Sequence, residues 1–114
     1  MAKFEVVQWF IDWLFGQRRF AFDWDDGNLT KSKTKHGVET FESEEIFYDE
    51  TKVPLGIQVQ PPVSEPRFGL LGKTNNGRML HIVFTIREGN VRIIAARPMH
   101  KKERVLYEKN LRKK

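Results

Sequence analysis

Residues 78–97 constrain the fold more than any other stretch, reading RMLHIVFTIREGNVRIIAAR from Arg78 to Arg97. Leu80, Ile82, Phe84 and Ile86 alternate with His81, Val83 and Thr85, the period of two that marks a half-buried strand. Glu88-Gly89-Asn90 carries turn chemistry, and Val91–Ala96 is again short, apolar and β-branched. That run stops at Arg97-Pro98, because proline has no N–H to give to a strand ladder. Such a hairpin supplies a core. It also sets the guanidinium of Arg97 where a sheet meets solvent, a good position for phosphate chemistry.

The other segments arrange themselves around this hairpin. Leu55–Gln60 reads as a weak strand with Ile57 and Val59 inward, ended by Pro61-Pro62. Arg67–Leu71 reads as another, followed by the hairpin signal Asn76-Gly77. Ala21–Trp24 is a short strand candidate, after which Asp25 or Asp26 can cap a basic helix from Gly27 to His36. Gly37 suits the left-handed residue that closes such a helix, with Val38 folding back on it. Thr40 is expected to cap an acidic helix over 41–49 that buries Phe41, Ile46, Phe47 and part of Glu45. His100–Arg112 reads as a C-terminal helix packed through Val105, Leu106 and Leu111. The expected class is α+β: a small antiparallel sheet of about four strands with helices before and after it.

Phe4–Phe15 stands apart. Glu5, Gln8 and Asp12 share one helical stripe, and aromatic and aliphatic residues fill the rest. The run is far shorter than the roughly 20 apolar residues needed to span a bilayer. The expected arrangement is an amphipathic helix over 1–20, packed on the domain or self-associating, ahead of a domain at 21–114; a membrane-surface helix is the third reading.

Composition narrows the chemistry. The 114 residues allow one core, and the absence of cysteine removes disulfides and thiolate sites, in keeping with a cytoplasmic protein. His36, His81 and His100 lack zinc-ligand spacing, so neither a metal nor another cofactor is expected. The net charge of +5 is uneven. Glu39, Glu42, Glu44, Glu45, Asp49 and Glu50 form an acidic run, whereas Arg97, Lys101, Lys102, Arg104, Lys109, Arg112, Lys113 and Lys114 crowd the other end. A basic end of this density suits a polyanion or an acidic protein; the plainer reading is a solvated helix tail.

Several strings, in order, resemble one family. They are Phe22-Asp23-Trp24-Asp25, Lys35-His36-Gly37-Val38, Glu45 with Phe47-Tyr48-Asp49, Glu65-Pro66-Arg67-Phe68 and Leu71-Gly72. Val83-Phe84-Thr85, Arg92–Arg97, and Glu103-Arg104 with Tyr107 complete the set. The pattern from Phe22 to Glu108 resembles BrnT, the ribonuclease toxins of type II toxin–antitoxin pairs. The resemblance implies a RelE-like fold and metal-independent endoribonuclease activity. It also implies RNA as substrate (messenger RNA, free or on ribosomes) and a BrnA-like ribbon-helix-helix antitoxin, with operator DNA bound only through the toxin–antitoxin complex. The segment before Phe22 lies outside the pattern. Asn28, Ser32 and Ala95 replace the lysine, asparagine and serine common there, which motivates a second reading as a non-cutting RNA- or protein-binding module.

In that chemistry the 2′-hydroxyl attacks the neighbouring phosphate, which calls for cations on the phosphorane and for groups that take and give protons. Arg67 and Arg97 match the family strings and are the expected transition-state stabilisers; each could instead pair with Glu65 or Glu103. His36 is the acid/base candidate, beside Lys35, although a histidine ending a helix can simply bond its last carbonyls. Lys31, Lys101 and Arg104 are expected to hold RNA phosphates, and Tyr107 to stack on a base, orient the phosphate or simply pack. Glu65 is either a base or the group that orients Arg67, and His81 is expected to be structural.

Overall fold

The computed structural model describes residues 2–112; Lys113 and Lys114 of the basic end lie outside the described residues. The order is β1 (Lys3–Glu5), α1 (Gln8–Gly16), α2 (Lys31–His36), α3 (Thr40–Phe47), β2 (Val53–Gln60), β3 (Phe68–Lys73), β4 (Met79–Arg87), β5 (Asn90–Pro98) and α4 (Lys101–Arg112). The strands form one five-stranded sheet in the order β1-β2-β3-β4-β5, every pairing antiparallel. The class is the expected α+β, with five strands in place of four.

The added strand comes from the N-terminal segment. Its helix begins only at Gln8, after Val7 in extended conformation, while Lys3–Glu5 pairs with the edge of β2. Apolar periodicity over so short a run does not separate a strand from the first turn of a helix. Gly56 makes the close approach feasible: at φ +109° it bulges β2, and a Cβ there would lie 1.8 Å from the Glu5 carbonyl oxygen. A side chain at 56 would push β1 off the sheet.

One face of the sheet packs against α1 and α3. Phe10 and Leu14 of α1 and Ile46 and Phe47 of α3 are fully buried with Phe68, Leu70, Leu80, Ile82 and Phe84. The Phe10 ring stacks on Phe68 with centroids 4.6 Å apart. The opposite face packs against α4 through Leu71, Met99 and Tyr107, with Val53, Leu55, Met79 and Leu111 around them. Covered on both sides, Phe68–Gly72 is buried throughout, and His81 and Thr85 are buried beside Leu80 and Ile82. The alternation in β4 therefore assigns faces without marking one of them as wet.

Several boundaries and faces differ from expectation. Ala21–Trp24 contributes one parallel bridge, Phe22 to Val91. Asp25 to Asn28 is a turn closed by side chains, the Asp25 Oδ1 accepting from the Gly27 N–H (2.8 Å), so α2 starts at Lys31. Gly37 ends α2 in the left-handed conformation as expected. Residue 39, not Thr40, precedes the first turn of α3, its N–H donating to the Glu42 carboxylate (3.0 Å). Phe41 is exposed, and Ser43 takes a buried place on that helix. Val59 is exposed too, and α4 leaves Val105 and Leu106 in solvent while burying Tyr107. On so basic a helix the face is chosen by the large ring whose hydroxyl finds partners beneath it.

Candidate active site

Sheet register sets Arg67 and Arg97 on the α4 face. Leu71, His81 and Arg97 form one row across β3, β4 and β5, and Gly69, Val83 and Ala95 form the next. Arg67 continues β3 by one residue, its carbonyl accepting from the Gln58 N–H (2.7 Å), so strand alternation sets it on that face, in the row of Thr85 and Arg92. Arg67 and Arg97 therefore share a face, separated by about 13 Å along the strands and about 10 Å across them.

Arg97 sits in a cluster of its own. Its Nη1 donates to Glu103 Oε1 (2.8 Å) and its Nη2 to Oε2 (2.9 Å), and Nη1 also reaches the Pro98 carbonyl (3.1 Å). His81 Nδ1 lies 2.6 Å from Arg97 Nη2 and 2.8 Å from Glu103 Oε2, between a donor and an acceptor. His81 Nε2 is buried without a partner. Burial pushes the His81 pKa down despite the Glu103 charge beside it, so the ring is neutral at pH 7. Burial alone would raise the Glu103 carboxyl. The Arg97 and His100 N–H bonds outweigh it and bring the pKa to about 2. Glu103 is the third residue after His100, the spacing at which a carboxylate caps a helix start, and that spacing was the sequence signal for it.

The remaining candidates divide. Ser32 Oγ accepts from the Ala96 N–H (2.9 Å), so α2 lies along the open edge of β5. Lys31 and Lys35, one turn apart, are exposed beside it, and His36 is half-buried. The His36 and Gly37 carbonyls accept from Arg78 (3.2 and 2.9 Å), which enters β4 where β5 ends. Lys35, His36 and Arg97 thus come to the same end of β5. Lys101 and Arg104 are exposed on α4, an Arg104 Nη1 reaching the Met99 carbonyl (3.3 Å).

Glu65 and Tyr107 stand elsewhere than the sequence suggests. Glu65 pairs in two-pronged fashion with Arg87 (2.9 Å each), so the guanidinium it orients is not that of Arg67. Arg92, equally unforeseen, forks onto Asp25 (3.0 and 2.9 Å). Tyr107 is fully buried and cannot stack on a base. Its hydroxyl lies 2.6 Å from both Asp49 Oδ2 and Thr51 Oγ1, and burial together with the Asp49 bond pushes its pKa up to about 12. Asn28 and Ser32 are structural. Asn28 is buried, accepting from the Asp25 N–H and donating to the Asp23 and Ile93 carbonyls.

Among the described residues no three His, Asp or Glu side chains cluster as a metal cage would require, and no helix is long and apolar enough to cross a membrane. A shallow depression of about 270 Å³ on the outer face of α4, lined by Val105, Glu108, Lys109 and Arg112, lies apart from the Arg97 cluster.

A comparison with curated proteins finds no match. The family model described as ribonuclease toxin, BrnT, of type II toxin-antitoxin system matches residues 24–103, the stretch that runs from Trp24 through α2, the sheet strands β2 to β5 and the Arg97–Glu103 pair. With α2, α3, the strands β2 to β5 and that pair inside the match, the chain belongs to the BrnT family of ribonuclease toxins, for which a cognate antitoxin and an RNA substrate are implied.

Proposed function

We propose that the protein is a metal-independent endoribonuclease that cuts RNA by 2′-hydroxyl attack and is silenced by its antitoxin. The observation that carries this reading is the Arg97 fork, whose two parallel N–H bonds hold a carboxylate in the geometry that phosphate oxygens also accept. In the reaction the 2′-oxygen bonds to phosphorus and the 5′-oxygen leaves, giving a 2′,3′-cyclic phosphate and a 5′-hydroxyl. Arg97 holds the negative charge that builds on the phosphoryl oxygens, and Arg67, about 13 Å away along the strands, holds a neighbouring phosphate of the same RNA. Lys35 and His36, on the helix that lies along the open edge of β5, handle the proton taken from the 2′-hydroxyl and given to the 5′-oxygen. Lys31, Lys101 and Arg104 hold flanking phosphates on the exposed sides of α2 and α4, and Glu65 acts through Arg87 at the far end of the hairpin.

The same exposed cations suit an acidic inhibitory surface. A BrnA-like ribbon-helix-helix antitoxin that covers them would block RNA and carry the pair to operator DNA. The test is incubation of the purified protein and its Arg97→Ala variant with structured RNA in excess EDTA, with the product ends mapped. Cyclic phosphate ends from the wild type, reduced about 100-fold in the variant, are the expected result. A folded wild type that cuts neither free RNA nor RNA on translating ribosomes would overturn it, leaving a non-cutting binding module.

A further inference from the structure

Phe4 belongs to the segment outside the family match, yet it lies on the face that carries Arg67 and Arg97. A Cβ built on Gly69 would come within 2.9 Å of the Phe4 ring, so the ring fills the place that Gly69 leaves empty. The ring also meets His81 edge-on, with centroids 5.9 Å apart, and His81 in turn touches the Arg97 guanidinium. Gly69 stands in the row between those of the two arginines. A partly exposed aromatic ring is thereby set between two cations on one surface.

We propose that Phe4 is a substrate-positioning residue on which one nucleobase of the RNA stacks while Arg67 and Arg97 hold the phosphates on either side of it. The inference rests on the ribonuclease reading and adds to it the class of contact that fixes where the strand lies. Every base has a π-face, so an aromatic platform gives affinity and register without demanding one sequence. A cationic site alone would let the strand slide. Strand β1 is the means of delivery: its pairing with β2 and the bulge at Gly56 fix the height of the ring above the sheet.

The alternative, that Phe4 only fills the hollow at Gly69, is separated by a cycle. Wild type and Phe4→Leu are titrated with a short 2′-O-methyl oligoribonucleotide, which cannot be cut, and with the same strand lacking one base. Leucine keeps apolar volume over Gly69 and removes the π-face, and thermal unfolding of the variant checks that the fold is intact. The wild type should lose about tenfold in affinity when the base is deleted, Phe4→Leu should bind the intact strand that much more weakly, and the variant should no longer distinguish the two strands. Phe4→Trp should restore the distinction. Equal discrimination by wild type and a folded Phe4→Leu would overturn the inference and leave the ribonuclease reading standing, whereas a wild type that binds neither strand would remove both.

Discussion

Glu103 reaches back across the start of α4 and takes both prongs of Arg97, Oε1 at 2.8 Å from Nη1 and Oε2 at 2.9 Å from Nη2. The same carboxylate accepts from the His100 N–H (2.8 Å), so one side chain joins the end of β5 to the helix that follows it. It also holds the cation at the place where the sheet opens to solvent. An RNA phosphate that uses this fork has to displace Glu103 or share the guanidinium with it.

Acid should loosen the protein in two stages. His81 has its pKa lowered by burial, so its contribution to stability is complete above about 6.5 and is lost as pH falls below that value through the folded-state pKa. Glu103, at about 2 in the folded protein against an ordinary 4.5, contributes fully above 4.5 and loses that contribution as pH falls toward 2. Urea unfolding midpoints measured across pH should show both declines. Glu103→Gln should start from a lower midpoint at neutral pH and lose the lower of the two.

The exposed lysines of α2 should act through phosphates. Lys31→Ala is expected to weaken RNA binding by a similar factor for unrelated sequences. It should also reduce the slope of log affinity against log salt by about 0.7 if it meets one single-stranded phosphate. Titrations at several salt concentrations give the slope directly, and an unchanged slope would place RNA elsewhere.

Tyr107→Phe should be a pure stability variant. It removes a buried hydroxyl 2.6 Å from both Asp49 and Thr51, while Asp49 keeps its bonds to the Lys73 and Thr51 N–H groups. A loss of about 1–3 kcal/mol by urea unfolding is expected, with RNA affinity unaltered because the ring is sealed beneath α4.

Phe10→Ala tests whether the first helix is part of the core. Phe10 is fully buried against Phe68 and Phe84, so truncation should cost about 3–5 kcal/mol, the range for a large aromatic in a packed interior. A near-neutral effect would mean that the segment before residue 21 packs loosely in solution.

Much of the architecture is local chemistry and is written in the sequence. The turn residues between β4 and β5, the proline after Arg97, the glycine that closes α2 and the alternation of β4 act on their immediate neighbours. The antiparallel sheet followed from them. Tertiary structure decided what distant residues do to one another. Lys3–Glu5 became a strand because the β2 edge offered partners that no pattern within residues 1–20 reveals. Tyr107 turned inward because Asp49 and Thr51, more than fifty residues earlier, accept and share its proton. Glu65 took Arg87 rather than the arginine two positions away, because across a hairpin distance in space and distance in sequence part company. The partners of Arg97 were each within sixteen residues of it, yet only the register of β4 against β5 and the first turn of α4 brought His81 and Glu103 to one guanidinium. Side-chain type and spacing determine which elements form; which charges meet is set by how those elements pack.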